Sequence, residues 1–103
     1  MQIDCRNAAD GTCILCLSGR LDFSRRQEFL NVMEQFLAQA PVLAELQVDC
    51  AQLSYIDSSG LGMLLILRDR SRKLGGSVAL LDCGEEIRNI LNTVQFGRLF
   101  RMG

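Results

Sequence analysis

The sequence is 103 residues long, 49% apolar and 22% charged, which fits one domain, 1–103, with a single core. A chain this size buries roughly two-thirds of its unfolded surface, so neither metal nor disulfide is required. Eleven basic against 12 acidic residues give a net charge of −1, without the basic excess a general nucleic-acid binder needs. There is no histidine, so a Ser-His-Asp or Cys-His nucleophile, a phosphohistidine relay and a histidine zinc site are excluded.

In chain order, Ile3 to Arg6 is a short strand candidate, and Asp10-Gly11 is a turn pair that joins hairpin strands. Cys13 to Ser18 is the second strand. Ser18 to Phe23 breaks the pattern, and a helix is expected from Ser24, whose hydroxyl suits an N-cap. Phe29, Leu30, Val32, Met33, Phe36, Leu37 and Ala40 recur at helical spacing, and Pro41 ends the run. From Leu43 to Cys50, Leu46, Val48 and Cys50 alternate with Glu45, Gln47 and Asp49, the period of a half-buried strand. Leu53, Tyr55 and Ile56 carry the chain to Asp57-Ser58-Ser59-Gly60.

The run from Leu61 to Lys73 is too apolar for periodicity to assign. Its length, the Asp and Ser before it and the cations at its end predict a helix buried on most sides. Gly75-Gly76 is a turn and Val78 to Leu81 a short strand. Gly84-Glu85-Glu86 opens a last helix with Ile87, Ile90, Leu91 and Val94 on one face. Phe96-Gly97 ends it, and Leu99 and Phe100 are expected to fold back onto the core. The order ββαβαβα predicts an α/β domain with a mixed, mostly parallel β-sheet packed with α-helices.

Cys5, Cys13, Cys16, Cys50 and Cys83 are an odd set, which fits a reducing cytoplasm and buried structural thiols better than a disulfide framework. Cys13 and Cys16 have C-x-x-C spacing, but residues three apart on a strand point to opposite faces. The N-terminus lacks the pattern of a signal peptide. The most apolar run, Leu61 to Leu67, is about a third of the ~20 residues a membrane span needs, so no membrane insertion is expected.

The segment Asp57-Ser58-Ser59-Gly60-Leu61-Gly62 lies between a strand and a helix start. Unpaired first-turn amides and the helix dipole tolerate negative charge there, so a phosphoserine would fit without remodelling the core. Plain capping by Asp57 or Ser58 explains the same residues. The segment is neither a hydrolase elbow nor a Walker loop nor a dinucleotide fingerprint.

Tyr55-Ile56-Asp57-Ser58-Ser59-Gly60-Leu61-Gly62-Met63-Leu64 resembles the signature of STAS domains, the family of sulfate transporter tails and anti-sigma factor antagonists. Leu17-Ser18-Gly19-Arg20-Leu21-Asp22 is similar to the family's L-x-G-x-L-D segment. Leu74 to Val78 and Ile90 to Val94 resemble its glycine pair and its apolar late helix, so the likeness runs over roughly residues 12 to 100. Many members continue into a final helix, whereas this sequence ends at Gly103.

The resemblance implies a cytoplasmic binding module, not an enzyme, with no cofactor and no metal. It would bind an anti-sigma factor with serine kinase activity when unphosphorylated and leave it on phosphorylation of Ser58, and a serine phosphatase would reverse the step. Ser59 is the alternative acceptor. Asp22, Asp57, Ser58, Ser59 and Gly60 would form the partner-binding edge, although Asp22 and Asp57 are equally placed to cap helices. Arg20, Arg25 and Arg26 are either partner contacts or solvated charges. The alternative within the family is an unphosphorylated subunit of a multiprotein complex, such as a lipid ABC transporter.

Overall fold

The computed structural model describes residues 2–7, 12–38 and 45–103. Five strands and three α-helices occur among them: β1 (Gln2–Asn7), β2 (Thr12–Leu21), α1 (Arg26–Ala38), β3 (Glu45–Ile56), α2 (Ser58–Lys73), β4 (Ser77–Leu81), α3 (Glu85–Thr93) and β5 (Arg101–Met102). The strands form one sheet in the order β1-β2-β3-β4-β5. β1 is antiparallel to β2, and β2 to β5 are parallel.

Each crossover from β2 onward moves the chain one strand in the same direction. Right-handed crossovers of that kind put their helices on a single face of the sheet. The register puts Leu15 beside Val48 and Val48 beside Leu80. These residues share one core with Phe29, Met33 and Leu37 of α1, Met63, Leu64 and Leu67 of α2, and Ile87 and Leu91 of α3. The opposite face carries Ile14, Cys16, Gln47 and Asp49, all half-buried. There Arg101, level with Ala79, reaches across β4 to Glu45 with two hydrogen bonds of 3.1 and 2.9 Å.

The elements agree with the sequence pattern where alternation or helical spacing is strong. Leu46, Val48 and Cys50 are buried, with Glu45, Gln47 and Asp49 half-buried between them. Cys13 and Cys16 lie on opposite faces, Cys13 buried and Cys16 half-buried, so the expectation that all thiols are buried is corrected at Cys16. Cys50 and Cys83 are buried. The Asp10-Gly11 turn, Ala40 and the Pro41 stop lie outside the described residues.

Four other expectations are corrected. The Ser18–Leu21 segment continues β2, because Gly19 takes a φ of 90° and two register shifts let the strand stay paired with β3. The turn before α1 is 3-10 (Phe23–Arg25), and its N-cap is Asp22, not Ser24. Val94 and Leu99 are exposed, since α3 stops at Thr93 and the chain reverses at Gln95, which has a φ of 60°. Phe100 does fold back onto the core as expected, and Phe96 joins it there, with ring centroids 5.1 Å apart. The fifth strand, β5, has no sequence signal, because two residues cannot show a period.

Leu67 is completely buried at the centre of α2. Leu67→Ala should cost ~2–5 kcal/mol through lost burial and a cavity. Asp69→Ala, on the exposed side of the same helix, should stay within ~0.5 kcal/mol. Denaturant midpoints of the two variants check the contrast.

Candidate functional site

β2 and β3 run parallel and end together, with Leu21 beside Ile56. The turns that follow them are therefore neighbours at one edge of the sheet. Asp57 sits between. Its backbone N–H donates to the Leu21 carbonyl at 3.3 Å. One carboxylate oxygen accepts the Gly60 N–H at 2.8 Å, which makes Asp57 the N-cap of α2. The other accepts the Phe23 N–H at 3.3 Å. A single side chain thus serves two helix starts, so the choice between Asp57 and Ser58 as cap falls to Asp57.

Gly60 closes the same junction from the other side. A Cβ at this position would lie 2.3 Å from the Leu21 carbonyl oxygen and 2.7 Å from Ile56 Cγ1. Glycine is needed there for close approach, because the nearest obstacle is backbone and cannot swing away. Gly62, two residues on, has nothing within 4 Å of its absent Cβ.

Ser58 is the first residue of α2 and is exposed, whereas Ser59 is half-buried. Asp22 lies across the junction. It accepts from the Ser24 hydroxyl at 2.6 Å and from the Ser24 N–H at 3.2 Å, and it pairs with Arg20 Nε at 3.4 Å. The Ser24 hydroxyl, with help from Arg20, holds the Asp22 carboxyl below the usual aspartate range. Arg20 also lies 4.0 Å over the Tyr55 ring, a contact worth ~0.5–1 kcal/mol at an exposed site. Arg25 pairs with Glu28 at 3.5 Å, and Arg26 is exposed at the start of α1.

Asp22, Asp57, Ser58, Ser59 and Gly60 thus meet at one edge, although 34 positions separate the two bonded groups Phe23 and Asp57. Phe23 is 71% exposed and Tyr55 39% exposed beside them. Sequence reasoning left both aromatics out of the site. Phe23 gave a signal, because it precedes the helix and falls outside its apolar periodicity. Tyr55 gave one only as a member of the central motif. Among the described residues no group of three or more His, Cys, Asp or Glu side chains could hold a metal ion.

The STAS domain family model matches residues 6–103. The chain belongs to the STAS domain family. The STAS-domain containing protein PA14_20770 of Pseudomonas aeruginosa (strain UCBPP-PA14) is 36% identical over 103 residues, covering 99% of both chains. Among solved structures, the unphosphorylated anti-sigma factor antagonist SpoIIAA shares the fold with a TM-score of 0.74 at 22% identity, over 99% of this chain and 87% of that one. A sulfate transporter family protein from Wolinella succinogenes shares it with a TM-score of 0.75 at 16% identity, over 94% and 79%. The STAS fold thus serves both regulators and transporters, and the junction at Asp57 lies inside the matched region.

Gly60→Ala should lower stability by more than ~2 kcal/mol, since overpacking against backbone adds to ordinary mutational loss. Gly62→Ala should be neutral or stabilising by up to ~1 kcal/mol, because it removes only helix-interior glycine entropy. Thermal unfolding of the pair reads the difference. In an NMR titration, the Asp22 carboxyl should protonate below the ordinary value of about 3.9, and Ser24→Ala should raise its midpoint. A depressed carboxyl stabilises the fold above its unfolded pKa, and that contribution fades as pH falls through the native one.

Proposed function

We propose that this chain is a cytoplasmic anti-sigma factor antagonist that works by partner switching. Unphosphorylated, it binds an anti-sigma factor with serine kinase activity. Phosphorylation of Ser58 releases it, and a serine phosphatase resets it. The observation that carries the reading is Ser58 itself: an exposed hydroxyl on the first residue of α2, directly after an aspartate fixed by two backbone hydrogen bonds. The half-buried position of Ser59 favours Ser58 as the acceptor.

The physics of such a switch is local. A phosphate adds roughly −1.5 to −2 charges at pH 7. At Ser58 it sits at a helix N-terminus, where negative charge is tolerated, so the core stays as it is. The surface does change, because the new charge follows Asp57, whose carboxylate is bonded to the backbone of the exposed Phe23, and comes three residues after the exposed Tyr55. A partner seated on these aromatics would have to desolvate the phosphate. A coupling of ~1–3 kcal/mol, or about 5- to 150-fold in affinity, is the usual scale of such effects. Support from likeness comes from SpoIIAA, which shares the fold and is known in unphosphorylated and phosphorylated forms.

Intact-mass spectrometry with site mapping, on protein from its native cell, is the direct test. One phosphate on Ser58, absent in Ser58→Ala, is the expected result. Ser58→Ala should fold normally and hold the partner constitutively, while Ser58→Asp should weaken binding only in part. No phosphate under growth, stress and stationary conditions, together with recovery of a stable transporter ATPase on pull-down, would overturn the switch in favour of a constitutive subunit.

A further inference from the structure

The far end of α2 carries a cluster of cations that the function proposed above leaves unused. Arg68, Arg70, Arg72 and Lys73 stand there against one acidic residue, Asp69. Arg70 is already paired, with Glu34 of α1. Arg68 and Arg72 are one helical turn apart, and they line a cavity of about 190 Å³ together with Gly76, Ser77, Val78 and Leu99. None of these six residues is acidic. Arg72 lies ~21 Å along the helix axis from Ser58, at a rise of ~1.5 Å per residue.

Arg68 is held in place. Its side chain is only 20% exposed, and its Nε donates to the Leu99 carbonyl at 2.9 Å. That bond orients the guanidinium and uses one of its five N–H donors. Its terminal nitrogens make no hydrogen bond among the described residues. Their one carboxylate contact is Nη1 to Asp69 at 3.7 Å, and Asp69 is itself 71% exposed. The Arg72 side chain has neither a hydrogen bond nor an ion pair among the described residues. Like charges at i and i+4 repel on a helix, and a largely buried cation without a partner is costly. A helix C-terminus ordinarily repels anions through its free carbonyls. Here the Ser71 carbonyl accepts the Leu74 and Gly76 N–H groups, and the Arg72 carbonyl accepts that of Gly75. With those carbonyls occupied, the guanidinium charge dominates the cavity.

We propose that this cavity binds a phosphate oxyanion, carried as the terminal group of a phosphomonoester. Two guanidiniums present forked N–H pairs that match the oxygens of such an anion, and charge-assisted bonds of this kind are stronger than neutral ones. A dianion offsets both charges at once. Val78 and Leu99 supply an apolar wall, and Leu99 is 39% exposed, so an organic group attached to the phosphate has a surface to lie on. The bound anion would join the end of α2, the start of β4 and the segment that leads into β5. Ser58 of the same chain, at the opposite end of α2, cannot supply the phosphate.

The test is an NMR titration of the full, nitrogen-labelled chain at constant pH and chloride, with inorganic phosphate and phenyl phosphate as the two probes. The expected result is a saturable set of shifts centred on the Gly76 and Ser77 amides and on the side-chain N–H groups of Arg68 and Arg72, with phenyl phosphate the tighter ligand. Equal affinity for the two probes would overturn the ester and leave the free anion as the ligand. Arg72→Gln, at an exposed position whose side chain makes no contact to lose, should fold as the wild type and weaken binding about 10-fold or more. Arg70→Gln removes the same charge from the same turn but outside the cavity, and should bind as the wild type. An equal loss in these two variants would reduce the effect to net charge and overturn the site. Shifts that scatter over the basic side chains without saturating would overturn it as well, as would shifts centred on Ser58 to Gly60 or none with either probe.

Discussion

The carboxylate of Asp57 is the constraint on which the functional edge depends. It accepts one N–H from α2 and one from the turn that leads into α1, and its own N–H is held by the last carbonyl of β2. An N-cap of this kind contributes ~0.5–2 kcal/mol, a modest amount. Its effect on geometry is larger. It fixes two helix starts relative to each other and so holds Ser58, Asp22 and Phe23 on one surface. Gly60 makes this possible by letting the first turn of α2 approach the Leu21 carbonyl without a side chain between them.

The sheet explains why that surface lies where it does. Successive crossovers in one direction place all three helices on one face. The parallel strands β2 and β3 deliver their C-terminal turns to the same edge. In open parallel sheets this edge is where loops are free to carry function while the core stays fixed. A modified serine there can alter recognition without disturbing Leu64 and Leu67, which lie further along the same helix, fully inside the core.

Ion pairs play a smaller part. Arg70 and Glu34 meet at 2.6 Å and link α2 to α1, with both side chains about half exposed, so their contribution to stability is ~0–1 kcal/mol. Arg101 with Glu45 is better formed, because the planar guanidinium uses two nitrogens and ties the short β5 across β4 to β3. The rest of the stability comes from apolar burial in one core shared by β2, β3, β4 and the three helices.

Local pattern was enough to read much of this chain. The alternation in Glu45 to Cys50, the helical spacing from Phe29 to Leu37 and the motif from Tyr55 to Leu64 gave the strands, the helices and the family, because each signal is complete within a few turns or one strand. The sequence alone also placed Asp57 and Ser58 at a helix start. Tertiary structure decided what depends on distant partners. Only pairing with a twelve-residue β3 keeps β2 running through Gly19. Only the meeting of two strand ends ties the Phe23 N–H to Asp57 and explains why Gly60 must lack a side chain. Short-range periodicity records which face of an element is buried; it carries no record of which other element will lie against it.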